Sequence, residues 1–458
     1  MATRHIKKRV ACGIVGFLIL LSGAIVWKRV HNVAIEWPRN IAFKKHNLDT
    51  REIKISQIDE PIWFVKTKNQ TVAVFVRFKN EGARNFKDQP GLLNLLLSLL
   101  MKGAGKYDTT ELRNVLDENS IDFAVNVGKD DSSFSLYLVP EKFQLAMEIM
   151  QDVLISAHFP EEKITTFKQE IKSELNQEKV YPEVIAREEM AKLMYSPDHP
   201  YYVTNNDILQ NIDKYTRNDV IKAYNTLFDP RNAYVIVAGN ISEEEVTLAF
   251  EKLFATLKMH KSNAFDKVEQ KTEMLKHGEI VHINHDIPQT IVRFSHPGVK
   301  NDSEDWFAAT VVALALGDGM KSRLFIELRE KHSLVYDVVA GMAESDMLCL
   351  IEGTAGTDPQ NVDELITRIK NVFRELADKG VTQEELDFKK NLIAESENLS
   401  SAPKVVSFLS VCRHRKVPLS KVNGYRRNFY NLKLEDVNSV ARRLLDPNKL
   451  TFVAIGRR

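Results

Sequence analysis

Cysteine is almost missing from this chain: Cys12, Cys349 and Cys412 are the only three among 458 residues. So few cannot build a disulfide framework, and with Cys12 in an apolar N-terminal run they allow at most a Cys349–Cys412 bridge. An excess of one charge is missing too. With 63 Lys and Arg against 62 Asp and Glu, no whole-chain field recommends nucleic acid as a partner. Only 19 glycines and 15 prolines are present, which excludes a collagen-like or low-complexity chain. What is there, 44% hydrophobic and 27% charged residues, is globular composition and excludes disorder or a polytopic membrane protein. Setting aside the N-terminus leaves about 410 residues, too many for one core, so two or three domains are expected.

From Val10 to Trp27 run 18 uncharged, mostly apolar residues, flanked by Arg4, Lys7, Lys8 and Arg9 on one side and Lys28 and Arg29 on the other. At about 1.5 Å per residue such a helix reaches about 27 Å, enough to cross a bilayer. Residues 1–30 are therefore read as a membrane anchor or signal segment, with a cytoplasmic N-terminus and the remainder in the periplasm of a bacterial inner membrane. A cleaved signal peptide is the alternative, although no small-x-small site precedes Trp27.

The rest of the chain contains one unit twice. Val76-Arg77-Phe78-Lys79-Asn80-Glu81-Gly82-Ala83-Arg84-Asn85 is followed 216 positions later by Val292-Arg293-Phe294-Ser295-His296-Pro297-Gly298-Val299-Lys300-Asn301, with five identities. Asp219-Val220, Phe228-Asp229-Pro230 and Gly239 recur 217 positions later as Asp436-Val437, Leu445-Asp446-Pro447 and Gly456. Each unit reads as strand, Gly turn, long apolar helix, strand, amphipathic helices and a last strand after Asp-Pro. The pattern predicts an α+β fold of two homologous domains, 48–257 and 277–458, each a mainly antiparallel sheet with helices on one face. The charged stretch 258–276 is the expected linker.

Several segments carry a family likeness. Leu316-Gly317-Asp318-Gly319-Met320-Lys321-Ser322-Arg323-Leu324-Phe325, then Glu327 to Tyr336, resembles the second-domain signature of the pitrilysin and mitochondrial processing peptidase family of inverted zinc peptidases. Pro90-Gly91-Leu92-Leu93-Asn94 through Lys102-Gly103 is similar to that family's metal-binding helix, and His199-Pro200-Tyr201 to another of its marks. The resemblance covers about 50 to 458 and implies two paired domains forming half of a clamshell.

The chemistry departs from the family. His-x-x-Glu-His works because histidines at i and i+4 share a helix face for Zn²⁺ while the Glu takes a proton from the metal-bound water. In the matching register Asn94 and Ser98 stand at the histidine positions and Leu97 at the general base, with Glu174 at the third ligand. An amide and an uncharged hydroxyl do not replace imidazole, and leucine accepts no proton. No metal is therefore expected in this chain. His282 and His285, three apart, would point to opposite faces of a strand, and His199, His332 and His414 have no partner at metal spacing. The turn at Gly317 and Gly319 lacks the Gly-Lys-Ser/Thr ending of a phosphate loop.

The other half of the family's site is retained. Its Arg and Tyr, seven residues apart, fall on Arg329 and Tyr336; the resemblance implies that they bind substrate backbone near the scissile carbonyl. The plainer reading of the two is a helix-surface ion pair for Arg329 and a half-buried strand residue for Tyr336. The family also binds peptide along a sheet edge, which Ala124, Val125, Asn126 and Val127 resemble, with Ser132–Leu136 as the next strand. The alternative there is a hairpin whose edge a neighbour covers. Some bacterial relatives split the two motifs between paired chains, and this one resembles the non-catalytic partner. The expected partners are a homologous zinc-bearing subunit, a peptide substrate, and the membrane through residues 10–27. A scaffold subunit without peptidase role and a peptidase using an unrecognised site are the alternatives.

Overall fold

The computed structural model describes residues 47–457 apart from 81, 261–276, 301, 347 and 396–398. Strands β1 (Thr50–Ile53), β2 (Ile62–Lys66), β3 (Val72–Phe78), β4 (Asp122–Val127), β5 (Ser132–Leu138) and β6 (Ala233–Gly239) form one sheet, ordered β1-β2-β6-β3-β5-β4. Strands β7 (Ile280–Asn284), β8 (Thr290–Pro297), β9 (Val335–Ala343), β10 (Leu350–Thr357) and β11 (Thr451–Gly456) form the other, ordered β7-β11-β8-β10-β9. Without β1 the two orders are the same. β2 runs parallel to β6 and β7 parallel to β11, and the other pairings are antiparallel.

The sequence repeats fall at equivalent places in this plan. Val76–Phe78 lies in β3 and Val292–Phe294 in β8, the strand flanked by the last strand of its unit in each sheet. Both Asp-Pro pairs open a short 3-10 turn into that last strand. The Asp229 carboxylate accepts the Arg231 N–H at 2.9 Å, and Asp446 accepts the Asn448 N–H at 3.0 Å.

Helices cover the sheets, among them α1 (Leu92–Leu100), α2 (Glu161–Glu178), α3 (Pro182–Met194), α4 (Trp306–Gly317), α5 (Gln383–Glu395) and α6 (Ala402–His414). β6 and β11 are buried at every residue, and they read as continuous apolar runs because both of their faces are covered. Ile62, Phe64, Val74 and Val235 point into a core closed by helices of their own half, α1 included. Trp63, Val65, Tyr234 and Ile236 alternate with them and meet Val405, Phe408 and Leu409 of α6, from the other half. The exchange is reciprocal, since Met190 and Met194 of α3 pack on Leu350, Val453 and Ile455 of the second sheet. The expected helix layer on one face is thus completed on the opposite face by a borrowed helix.

A polar network follows the exchange. The Arg77 guanidinium on β3 pairs with Asp131, donates to the Tyr234 hydroxyl at 3.2 Å and lies 3.0 Å from Nδ1 of His414. Nε2 of His414 is 3.8 Å from Asp346, whose backbone N–H donates to Asp130 at 3.0 Å, and Tyr201 donates its hydroxyl hydrogen to the same carboxylate. Burial, with the Arg77 charge, holds His414 below the ordinary histidine range, which keeps Nδ1 as an acceptor.

One expectation is corrected here. The bacterial inner-membrane placement with periplasmic domains is corrected: among the described residues no helix is long and apolar enough to cross a membrane. Residues 10–27, which carried that reading, lie outside the described residues. Helix Glu243–His260 runs three residues into the stretch read as linker, and 261–276 lie outside the described residues. No disulfide joins Cys349 and Cys412; both are buried, and burial pushes the Cys412 thiol up to about 12.

His296 of β8 makes folding pH-dependent. It is fully buried; Nδ1 lies 2.7 Å from its acceptor, the Pro297 carbonyl, and Nε2 accepts the Asp446 N–H at 3.1 Å. Desolvation brings its pKa down to about 4. The native state then binds fewer protons than the unfolded chain, so this contribution is complete above about pH 6.5 and is lost as the pH falls from there towards 4. The expected loss approaches roughly 3 kcal/mol. Urea denaturation between pH 7.5 and 4.5 should show the decline, and His296→Gln should flatten this part of it.

Candidate functional site

The helix at the family's metal position begins from a left-handed Gly91, φ 89°, where a Cβ would come within 2.7 Å of Ile208. That tight start fixes α1 over the first core, with Leu92, Leu95, Leu96 and Leu99 buried. Asn94, Leu97 and Ser98, at i, i+3 and i+4, share the remaining face. Asn94 is exposed and Leu97 and Ser98 are half-buried. The Ser98 hydroxyl donates to the Asn94 carbonyl at 2.9 Å, turning back on its own helix. Leu97 packs against the first core. Glu174 is exposed on α2, which packs against α1.

An amide, an aliphatic group and a self-satisfied hydroxyl beside one carboxylate do not fit a zinc ion. Among the described residues no group of three or more His, Cys, Asp and Glu side chains is arranged to hold a metal. His282 lies within β7 and His285 just beyond its end. His199 is buried with its ring stacked 4.5 Å from that of Tyr195, and its Nδ1 accepts the Tyr201 N–H at 3.0 Å. His332 lies 2.7 Å from an Arg368 nitrogen.

The structure brings Arg329 and Tyr336 together. α4 ends at Gly317, where a Cβ would meet the Ala340 backbone nitrogen at 2.5 Å, so only glycine lets the helix lie this close to β9. Ser322 then caps a short helical turn that continues as a π-helix over Ile326–Lys331, with Leu328 buried and Arg329 facing outward to half exposure. The Arg329 guanidinium carbon lies 4.7 Å from the Tyr336 ring centre and 5.0 Å from that of Phe325. Such contacts engage the cation through the rings and leave in-plane N–H donors for other acceptors. Tyr336, second in β9, is 65% exposed. This differs from the plainer reading of a half-buried strand tyrosine.

β4 is the outermost strand of its sheet and pairs with β5 from Asp122↔Tyr137 to Val127↔Ser132. Ala124, Val125, Asn126 and Val127 therefore all lie on an edge. Phe123, Val125 and Val127 turn partly to the core, and Ala124 is exposed. α1 packs beside this strand, which places the altered motif and the edge on one side of the first half. Arg329 and Tyr336 stand at the surface of the second half, next to Leu328 and Val335 of its core. Sequence reasoning missed the Arg77–His414–Asp346 network, although Asp130 and Asp346 are separated by the same 216 positions as the repeated Arg77 and Arg293. His414, discounted there as a metal ligand, is a structural member of it.

Comparison with known proteins adds a family. Residues 64–200 match the model described as insulinase (peptidase family M16), and residues 214–393 match that of the peptidase M16 inactive domain. Among curated relatives, the Helicobacter pylori protein called non-peptidase homolog YmxG is 20% identical over 84% of this chain and 89% of its own. A Rickettsia bellii protein called an uncharacterized zinc protease is 23% identical over 75% and 79%. Among solved structures, a peptidase M16 inactive domain from Pseudomonas fluorescens superposes with a TM-score of 0.82 at 22% identity, covering 90% of this chain and 98% of that one. The periplasmic protease PqqL from Escherichia coli gives a TM-score of 0.72 at 14% identity, covering 96% of this chain and 50% of PqqL. With the same strand order in both halves and two matches to one family that together span well over half of its length, the chain belongs to peptidase family M16.

Proposed function

We propose that this protein is the non-catalytic half of a two-chain zinc peptidase acting on peptides. One contrast within the chain carries the reading: the helix at the metal position offers Asn94, Leu97 and Ser98, whereas Arg329 and Tyr336 are held against each other with the phenol ring 65% exposed. A fold that matches half of the PqqL chain supports it, because a second unit of the same architecture would complete such a chamber.

In this role the partner carries the zinc ion, and this chain closes the chamber around the peptide. Arg329 donates N–H groups to a substrate carbonyl, and the Tyr336 hydroxyl donates to negative charge developing on the scissile carbonyl oxygen. The outer edge of β4 at Ala124, Val125, Asn126 and Val127 would offer backbone hydrogen bonds to an extended peptide, a mode that asks little of its sequence.

Affinity purification of the full chain from its native cells should recover a homologous chain with an intact zinc motif, and the pair should cleave a quenched-fluorescent peptide that neither hydrolyses alone. Arg329→Ala should lower kcat/KM of the pair by roughly 10²-fold. Unchanged activity would refute the shared site, and a partner without any zinc motif would indicate a scaffold role instead.

The register itself predicts a gain. Asn94→His, Leu97→Glu and Ser98→His combined should bind about one zinc ion per chain if Glu174 stands at the third-ligand position. Metal content measured after dialysis checks this, and a triple variant that retains none would show the register to be wrong.

A further inference from the structure

Lys389 is one of the largest fully buried side chains, 1% exposed, and it lies on α5 of the second half. A buried ammonium is costly unless it is hydrogen-bonded. Its Nζ donates to the Asp318 carbonyl at 2.8 Å, with the Asp318 carboxylate at 3.5 Å. Burial holds Lys389 below the ordinary lysine range, with the Asp318 charge opposing.

One helical turn earlier on the same face, Glu385 takes both arms of Arg323: Nε and Nη2 donate to its two oxygens at 2.8 Å each. Nη2 of Arg323 also reaches the Gly380 carbonyl at 2.6 Å. Between these two, Nζ of Lys321 lies 4.6 Å from the centre of the Phe388 ring. Residues 318, 321 and 323 are therefore strapped in succession onto residues 389, 388 and 385 of one helix. This short turn joins α4 to the helical segment that bears Arg329.

We propose that Lys389 and Glu385 are positioning residues: by fixing the turn from Asp318 to Arg323 on α5, they hold Arg329 over Tyr336 in the geometry the partner's site requires. The proposal rests on the shared-site reading above for its functional half, and on the described contacts for its structural half. Among the described residues neither makes a hydrogen bond, ion pair or ring contact with Arg329 or Tyr336, so both act through the turn. A bidentate Arg–carboxylate pair and a buried hydrogen-bonded ammonium resist displacement more than surface ion pairs do, which suits a segment that Gly319 would otherwise leave loose.

Hydrogen exchange on the full chain, read by mass spectrometry, tests the structural half. Lys389→Met, close in volume, should raise exchange of amides in 318–331 about 10-fold or more, with β10 and helix Val362–Lys379 unchanged. Arg323→Lys keeps the charge but loses the fork, and should loosen the same segment if Lys389→Met does not fold. Unaltered protection of 318–331 in the variants that fold would overturn the proposal. In the reconstituted pair, loosened variants should lose kcat about 10-fold while KM stays within about twofold. A loosened turn with unchanged peptide hydrolysis would leave the clamp standing and refute the role of Arg329, so the two failures are distinguishable.

Discussion

Each sheet of this protein has a face that its own half cannot cover, and the exchange of α3 and α6 closes both. The residues involved leave little choice. Trp63, Tyr234 and Ile236 on one sheet and Val453 and Ile455 on the other are nearly or fully buried, and exposing any of them would cost roughly 1.5–3 kcal/mol. The halves are thereby bound through the middle of their sheets and not along a rim. Arg413 extends the same constraint, with Nε donating to Glu60 at 3.0 Å and Nη2 donating to the Pro61 carbonyl at 2.8 Å. The neighbouring Arg415 reaches the other way, donating to Glu344 at 2.7 Å. The C-terminal end of α6 is thus tied at once to the first sheet's β1–β2 turn and to the second sheet's β9–β10 turn.

This union decides what can move. Sliding one half against the other would strip α6 from a hydrophobic face and break the buried Arg77 cluster together, an outcome much costlier than bending a linker. The exchange ties the two halves into one packed body, so in the proposed role the peptide chamber opens between chains. That is consistent with a fold matching half of a longer protease chain.

Much of the architecture was legible in the sequence. The offset of about 216 positions announced two units, and the family likeness set Ala124 to Val127 on a strand that lies outermost in its sheet. The helix exchange was not legible, because α3 and α6 show the same amphipathic composition whichever sheet they cover. Only the unbroken burial of β6 and β11 hinted that both faces of the sheets were used. At the site, the loss at Asn94, Leu97 and Ser98 could be read by register. The stacking of Arg329 on Tyr336 depends on a π-helical turn with no strong sequence signal. Lys389 was invisible for another reason: in Phe388-Lys389-Lys390 it reads as a solvated charge, and only the Asp318 carbonyl from 71 residues away accounts for its burial. The membrane reading came from residues 10–27, which lie outside the described residues; among the described residues no helix is long and apolar enough to span a membrane.

The altered helix is more than a site with its ligands removed. In a working inverted motif the position of Leu97 must present a carboxylate to water and metal, and that charge has to be kept away from the apolar interior. Here Leu97 packs against the first core, and Ser98 spends its hydroxyl on the carbonyl of Asn94. Leu97 gains apolar contact and Ser98 satisfies its donor locally, so neither side chain needs a metal. The sequence has therefore settled into a structural solution that competes with metal binding. Loss at one site and upkeep at the other are most simply reconciled if the two motifs serve different chains of one assembly.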